Sequence, residues 1–255
     1  MAPESVTVVV FDTPSKDGTT WSHHVLRILF SLHHMRIPYS IENVEYPDIV
    51  STFASTTLEP KDSSIEPYEI PVLKIQPHAG NPRYYMGTLQ IIEALETVSP
   101  EYPLLYTSSR SAEFRSRFGP AFAPILQAVV GHVPNVLSER SVKSFAQKRH
   151  DTWGKPIEQW IAEHPMQEAV ATAKPRLKDF GDWLHLTPGP FVNGDQVSYA
   201  DFTLASMLAF TTAVGYSNIT RAVLGMHQSI QILYDAIILT QSRNDRCLDL
   251  LENHG

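Results

Sequence analysis

The chain changes hydrophobic period once, and that change limits its possible folds more than any other feature. Up to residue 98, strand-like and helix-like runs alternate; past Ser99-Pro100-Glu101-Tyr102-Pro103 the strand signals largely disappear. Val6 to Phe11 is a β-branched run closing on Asp12-Thr13-Pro14, as a buried strand does when it enters a loop. After Pro14-Ser15-Lys16-Asp17-Gly18, the residues Val25, Leu26, Leu29, Phe30 and Leu32 recur at helical spacing, and Pro38 marks the stop. Tyr39 to Tyr46 alternates and ends at Pro47-Asp48. These elements make a β-α-β unit, whose right-handed crossover sets the two strands parallel.

The polar stretch from Ser51 to Tyr68 reads as a loop with one helical turn. Ile70 to Ile75 is a short strand, Pro77 to Pro82 a turn, and Arg83 to Met86 the return strand of an antiparallel hairpin. Gly87 then opens a helix, with Thr88 as its N-cap and Ile91, Ile92 and Leu95 on its apolar side. The order β-α-β, β-β-α is a thioredoxin-like α/β layout for residues 1–98. A proline-marked linker covers 99–106. From 107 to 255 the apolar positions repeat at three and four residues (Phe114, Phe118, Phe122, Ile125, Val129; later Leu177, Phe180, Leu184; then Phe202, Leu204, Leu208). That spacing predicts an all-helical bundle domain of five to seven helices. Pro120, Pro124 and Pro134 predict kinks or short helices in its first stretch.

Composition narrows the function classes. At 255 residues and 43% hydrophobic, the chain can fill two ordinary cores. With 20 Lys+Arg against 27 Asp+Glu and no basic run, it lacks the electrostatic footprint of a nucleic-acid or anionic-membrane binder. No apolar stretch approaches the roughly 18 residues of a spanning helix, and the run Val8 to Phe11 is too short for a signal h-region. The single cysteine, Cys247, makes no internal disulfide, and no Cys/His cluster has zinc-ligand spacing. The expectation is a reducing, cytoplasmic compartment and no metal. No GxGxxG, P-loop, HExxH or nucleophile-elbow pattern is present.

Two segments carry more specific information. Trp21-Ser22 precedes a helix ending in Ile37-Pro38-Tyr39 and a strand closing on Val44-Glu45-Tyr46-Pro47-Asp48-Ile49; Gly194-Asp195-Gln196-Val197-Ser198-Tyr199-Ala200-Asp201 opens a helix of the second part. Together they resemble the cytosolic glutathione transferases, and among these the fungal enzymes related to bacterial β-etherases. In the second segment Ser198 and Asp201 form a capping box, which serves any buried helix and needs no ligand. Losing such a cap costs about 1 kcal/mol.

The resemblance implies a glutathione co-substrate, an α/β domain that binds it, a hydrophobic or aromatic second substrate, and a homodimer. It assigns Ser22 to the glutathione sulfur. A thiol of pKa about 8.5 is only a few per cent ionised at neutral pH, so a donor at a helix N-terminus is the chemistry required. The residue itself allows a second reading, in which Ser22 merely caps the first helix. The resemblance also assigns Ile70 and a cis Pro71 to the cysteinyl backbone, and positions 87 and 88 to the γ-glutamyl end. At those positions the family has an acidic residue and a serine, whereas this chain has Gly87 and Thr88. Thr88 keeps a hydroxyl and a helix N-terminal amide, but Gly87 has no charge, which predicts about 10- to 100-fold weaker glutathione binding unless Glu66, Glu69 or a second subunit compensates.

His23 and His24 follow Ser22, and imidazoles can move protons near neutral pH. The family has asparagine where this chain has His24. The alternative is one packed and one exposed side chain without chemistry. His33-His34 reads as a solvated helix C-terminus, and the Phe114–Val129 stripe as core with one edge free for a cleft. Three functions therefore stand: a glutathione transferase acting on an aromatic electrophile or ether, a transferase-fold enzyme of small-molecule biosynthesis that isomerises, eliminates or cyclises with or without glutathione, and a non-catalytic binder of aromatic compounds.

Overall fold

The computed structural model describes residues 6–62 and 65–241; Cys247 lies outside them. The chain forms two compact units, residues 1–103 with 136–156, and residues 104–135 with 157–255.

The first unit begins with β1 (Thr7–Asp12), α1 (His23–His34) and β2 (Tyr39–Asn43), with β1 and β2 parallel. A short helix, α2 (Ile49–Ala54), precedes the hairpin of β3 (Val72–Gln76) and β4 (Arg83–Met86), and α3 (Thr88–Val98) follows. The sheet order is β2-β1-β3-β4, with β3 antiparallel to β1. The expected thioredoxin-like layout is the observed one. β1 is central and apolar on both faces because both are covered: Val8, Val9, Val10 and Phe11 are all buried. Val9 and Phe11 belong to a cluster with Val44, Ile49, Phe53, Tyr68 and Val72, in which Phe53 meets Phe11 edge-on at 5.1 Å.

One element departs from a linear division at 99–106. Helix α5 (Glu139–Trp153) belongs to the first unit although it follows the linker by some thirty residues. Polar side chains hold it there. The Glu45 carboxylate accepts from the hydroxyls of Ser138 and Ser141, the Ser141 hydroxyl accepts from the Tyr46 amide at 3.1 Å, and Arg140 forks onto Asp48 at 2.9 and 3.1 Å. Glu45 thus sits at the N-terminus of α5, where a carboxylate complements the helix dipole.

The second unit holds α4 (Ser109–Val130), α6 (Ile157–Glu163), α7 (Met166–His185), α8 (Tyr199–Ala213), α9 (Ser217–Leu224) and α10 (Gln228–Gln241). α4 and α7 pack through a ring cluster: Phe114, Phe118 and Phe122 stack at 4.9 and 4.5 Å, and Phe180 meets each of them edge-on. Contrary to the expected breaks, α4 runs through both Pro120 and Pro124. Pro124 has no N–H to give to the Pro120 carbonyl four residues back, and the Arg176 guanidinium of α7 donates to that carbonyl instead, at 3.2 Å. α8 is buried nearly all round, as a central bundle helix must be.

Candidate active site

The site residues expected from the sequence lie at the start of α1, before β3 and at the start of α3, all in the first unit. The loop from β1 to α1 is closely pinned. The Ser15 hydroxyl accepts from the amide of Thr19 at 3.0 Å, and Gly18 makes the turn at φ +78°, a backbone region open to glycine. The Thr20 hydroxyl donates to Asp12 Oδ2 at 2.6 Å, and the buried Trp21 indole donates to the Thr13 carbonyl at 2.8 Å. These two bonds tie the residues just before Ser22 to the end of β1.

Ser22 is the N-cap of α1, at φ −70° and ψ 124°, but its hydroxyl makes no capping hydrogen bond. The residue is half-buried. The first turn of α1 contains no acidic residue, so the positive end of the helix has no local anion.

The rings of His23 and His24 lie 3.9 Å apart and are tilted by 36°. Burial first, then the charges of His24 and Arg27, hold the His23 pKa well below the usual imidazole range. His24 is exposed, yet crowding by the surrounding chain, followed by the cations Arg27, Lys61 and Arg149, lowers its pKa to about 3. Its Nδ1 is hydrogen-bonded to the Arg27 guanidinium. Both rings are therefore neutral at ordinary pH, which removes imidazolium as an acid.

The Ile70–Pro71 peptide is cis. The Glu69 amide just before it approaches Met86 Sδ at 3.2 Å, which links this turn to the end of β4. Gly87, the N-cap of α3, has φ +89°, a conformation that strains any other residue. A Cβ there would also meet Gln90 Oε1 at 2.7 Å. Thr88, expected at the N-cap, is instead the first residue of α3, because the left-handed turn that enters the helix falls on Gly87. Neither carboxylate named as a substitute for the missing charge stands alone: Glu69 pairs with Lys61, and Glu66 lies 3.7 Å from Arg149.

Asp12 closes β1. Its side chain is 1% exposed, Oδ1 has no hydrogen-bond partner among the described residues, and burial raises its pKa to about 7 against the opposing bonds from Thr20 and Thr13. A charged residue directly after four buried apolar ones was the available signal. Tyr46, also near this group, has its phenol pushed well above its ordinary range by burial. Arg149, from α5, left no local signal, because only the tertiary fold brings it to α1. Among the described residues no three His, Cys, Asp or Glu side chains are placed to hold a metal ion, and no helix is long and apolar enough to cross a membrane.

In the second unit, Ser198 and Asp201 close the expected capping box. Asp201 accepts from the Ser198 amide at 2.8 Å, the Ser198 hydroxyl at 2.6 Å and the Val192 amide at 2.7 Å.

A thioredoxin-like unit bearing a free-hydroxyl serine at the first helix, together with a helical unit built on this capping box, is the layout that the resemblance to glutathione transferases implies. Comparison with known proteins agrees. Residues 110–230 match the family described as glutathione S-transferase, C-terminal domain. The glutathione S-transferase-like protein ustS of Aspergillus flavus is 25% identical over 219 residues, covering 79% of this chain and 78% of that protein. Glutathione transferase GSTFuA2 from Phanerochaete chrysosporium superposes with a TM-score of 0.75 at 23% identity, over 92% of this chain and 97% of that one. A glutathione S-transferase of Ceriporiopsis subvermispora, solved in complex with glutathione, gives 0.75 at 22% identity, over 93% and 99%. The chain has the fold of these glutathione transferases, and residues 110–230 are similar to their C-terminal domain.

Proposed function

We propose that the first unit binds glutathione and that the protein is an enzyme in which Ser22 stabilises the thiolate. The observation that carries this reading is the Ser22 hydroxyl: it stands at a helix N-terminus with no acid in the first turn and is not used as a cap. A similar fold solved with glutathione supports the choice of thiol. In this reading the Ser22 O–H donates to the sulfur, and the thiol proton leaves to water. The backbone of Ile70 and Pro71 pairs with the cysteinyl unit, and Thr88 with its amide holds the γ-glutamyl carboxylate. The thiolate then attacks a hydrophobic, aromatic electrophile or ether, forming a C–S bond as the leaving group departs with its electron pair. Stabilising the anion more as it reacts than at rest is what accelerates the step. The working form is a cytoplasmic homodimer.

Gly87 favours a second reading. With no charge at that position and both nearby carboxylates paired to cations, a transferase-fold enzyme that isomerises, eliminates or cyclises its substrate needs only weak glutathione binding, or none. Titration calorimetry with glutathione separates the two. Micromolar binding supports the transferase; no heat at millimolar ligand favours the second reading, or a non-catalytic binder if dye binds without turnover.

A further inference from the structure

Ser22 does not account for the pair that His24 forms with Arg27, three residues apart on one face of α1. A guanidinium carries only donors and keeps its proton in proteins, so His24 Nδ1 must be the acceptor of this bond. The ring proton is therefore on Nε2. A second proton is kept off first by the crowding of the surrounding chain and then by the cations Arg27 on α1, Lys61 beyond α2 and Arg149 on α5. No described residue is hydrogen-bonded to Nε2, and His24 is exposed. Within two residues of Ser22, the helix thus offers one N–H donor whose tautomer is set by its neighbour.

We propose that His24 is a second donor to the anion of this site, its Nε2–H hydrogen-bonding the glutathione thiolate beside the Ser22 hydroxyl, with Arg27 as the positioning residue that fixes the tautomer. The proposal rests on the reading of the site as a glutathione site. A ring with Nδ1 engaged and Nε2 protonated has no lone pair left for the thiol proton, so His24 stabilises the anion and does not act as its base. A neutral donor also leaves the sulfur more nucleophilic than an imidazolium would, because nucleophilicity falls with thiol pKa.

Three readouts test it on the full-length protein: imidazole ¹⁵N shifts, thiolate absorbance of bound glutathione against pH, and turnover of a model electrophile. His24 should show the neutral Nε2–H tautomer from pH 5 to 8, and Arg27→Met should mix the tautomers. His24→Ala should raise the bound thiol pKa by about one to two units and lower kcat about 10- to 100-fold, the worth of a hydrogen bond to a charged group, with a smaller change in KM for glutathione. His24→Asn, which retains an N–H donor, should recover part of the loss. Arg27→Met should cost less in a His24→Ala background than alone. Wild-type thiol pKa and kcat in a folded His24→Ala variant, or a wild-type ring titrating near pH 6.5, overturns the proposal while leaving the glutathione site intact. If the wild-type protein takes up no glutathione at millimolar concentration, the site reading falls and the role of His24 falls with it.

Discussion

Among the helices that begin with a serine, α1 and α8 use it in opposite ways. At the start of α8, Ser198 is fully buried, its hydroxyl bonds to Asp201, and Asp201 also takes the amides of Ser198 and Val192. At the start of α1, Ser22 is half-buried, its hydroxyl caps nothing, and no acid stands in the first turn. A cap that is completed satisfies the helix end and locks a local fold. A cap left incomplete keeps a donor and a partial positive charge available to a ligand, at some cost in helix stability. One sequence signal, serine before an apolar helical run, thus covers both a completed cap and an open one, and at α8 the acid three residues on goes with the completed one.

Substitutions at the two helix starts should separate these roles. The largest effect is expected at the completed cap. Asp201→Ala leaves three buried donors unpaired and should lower stability by about 3–5 kcal/mol, measured by urea unfolding. Loss of turnover in that variant should track its unfolded fraction. Ser22→Ala should do the reverse, lowering kcat/KM about 100-fold with a model electrophile while the unfolding midpoint barely moves. Asp201→Ala unfolding as wild type, or Ser22→Ala destabilised as Asp201→Ala is, would erase the contrast.

A third substitution uses the pH dependence of the strand that leads to α1. The folded-state pKa of Asp12 is about 7, above the ordinary 3.8, so between pH 4 and 7 the folded protein retains a proton that the unfolded chain has lost. Stability attributable to Asp12 therefore falls as pH rises through that window. Asp12→Asn should recover on the order of 3 kcal/mol more at pH 8 than at pH 5. Asp201, raised to about 6, acts in the same direction. His23 and His24 have the opposite sign: their pKa values are lowered, so the unfolded chain gains protons below about pH 6.5 and stability falls on acidification. The stability maximum should lie near pH 6 to 7, and Asp12→Asn should move it upward. The smallest effect is expected for Ser198→Ala, about 1 kcal/mol in stability with kcat unchanged.

Local periodicity made most of the first unit legible. The continuous apolar run of β1 announced a strand covered on both faces, and the turn residues between β3 and β4 announced their hairpin. The start of α1 at Ser22 and the cis peptide at Pro71 were readable through resemblance, since neither residue type compels its geometry. Long-range polar contacts were not readable. Nothing near Glu45 or Asp48 points to Ser138, Arg140 and Ser141 about ninety residues later, so the place of α5 in the first unit was hidden. The continuity of α4 past Pro124 was hidden for the same reason, because the replacement donor comes from Arg176. In the site, Ser22, Thr88 and the uncharged Gly87 are named from the sequence, but the neutrality of His24 depends first on crowding by the folded chain and then on Arg27, Lys61 and Arg149, the last two of which only the tertiary structure brings near.

The central claim is that Ser22 stabilises a glutathione thiolate, and the ultraviolet absorbance of bound thiolate tests it most directly. At pH 6.5 and saturating glutathione, the wild-type protein should show a thiolate band that Ser22→Ala loses while still binding glutathione by calorimetry. An equal band in the two proteins would contradict the account.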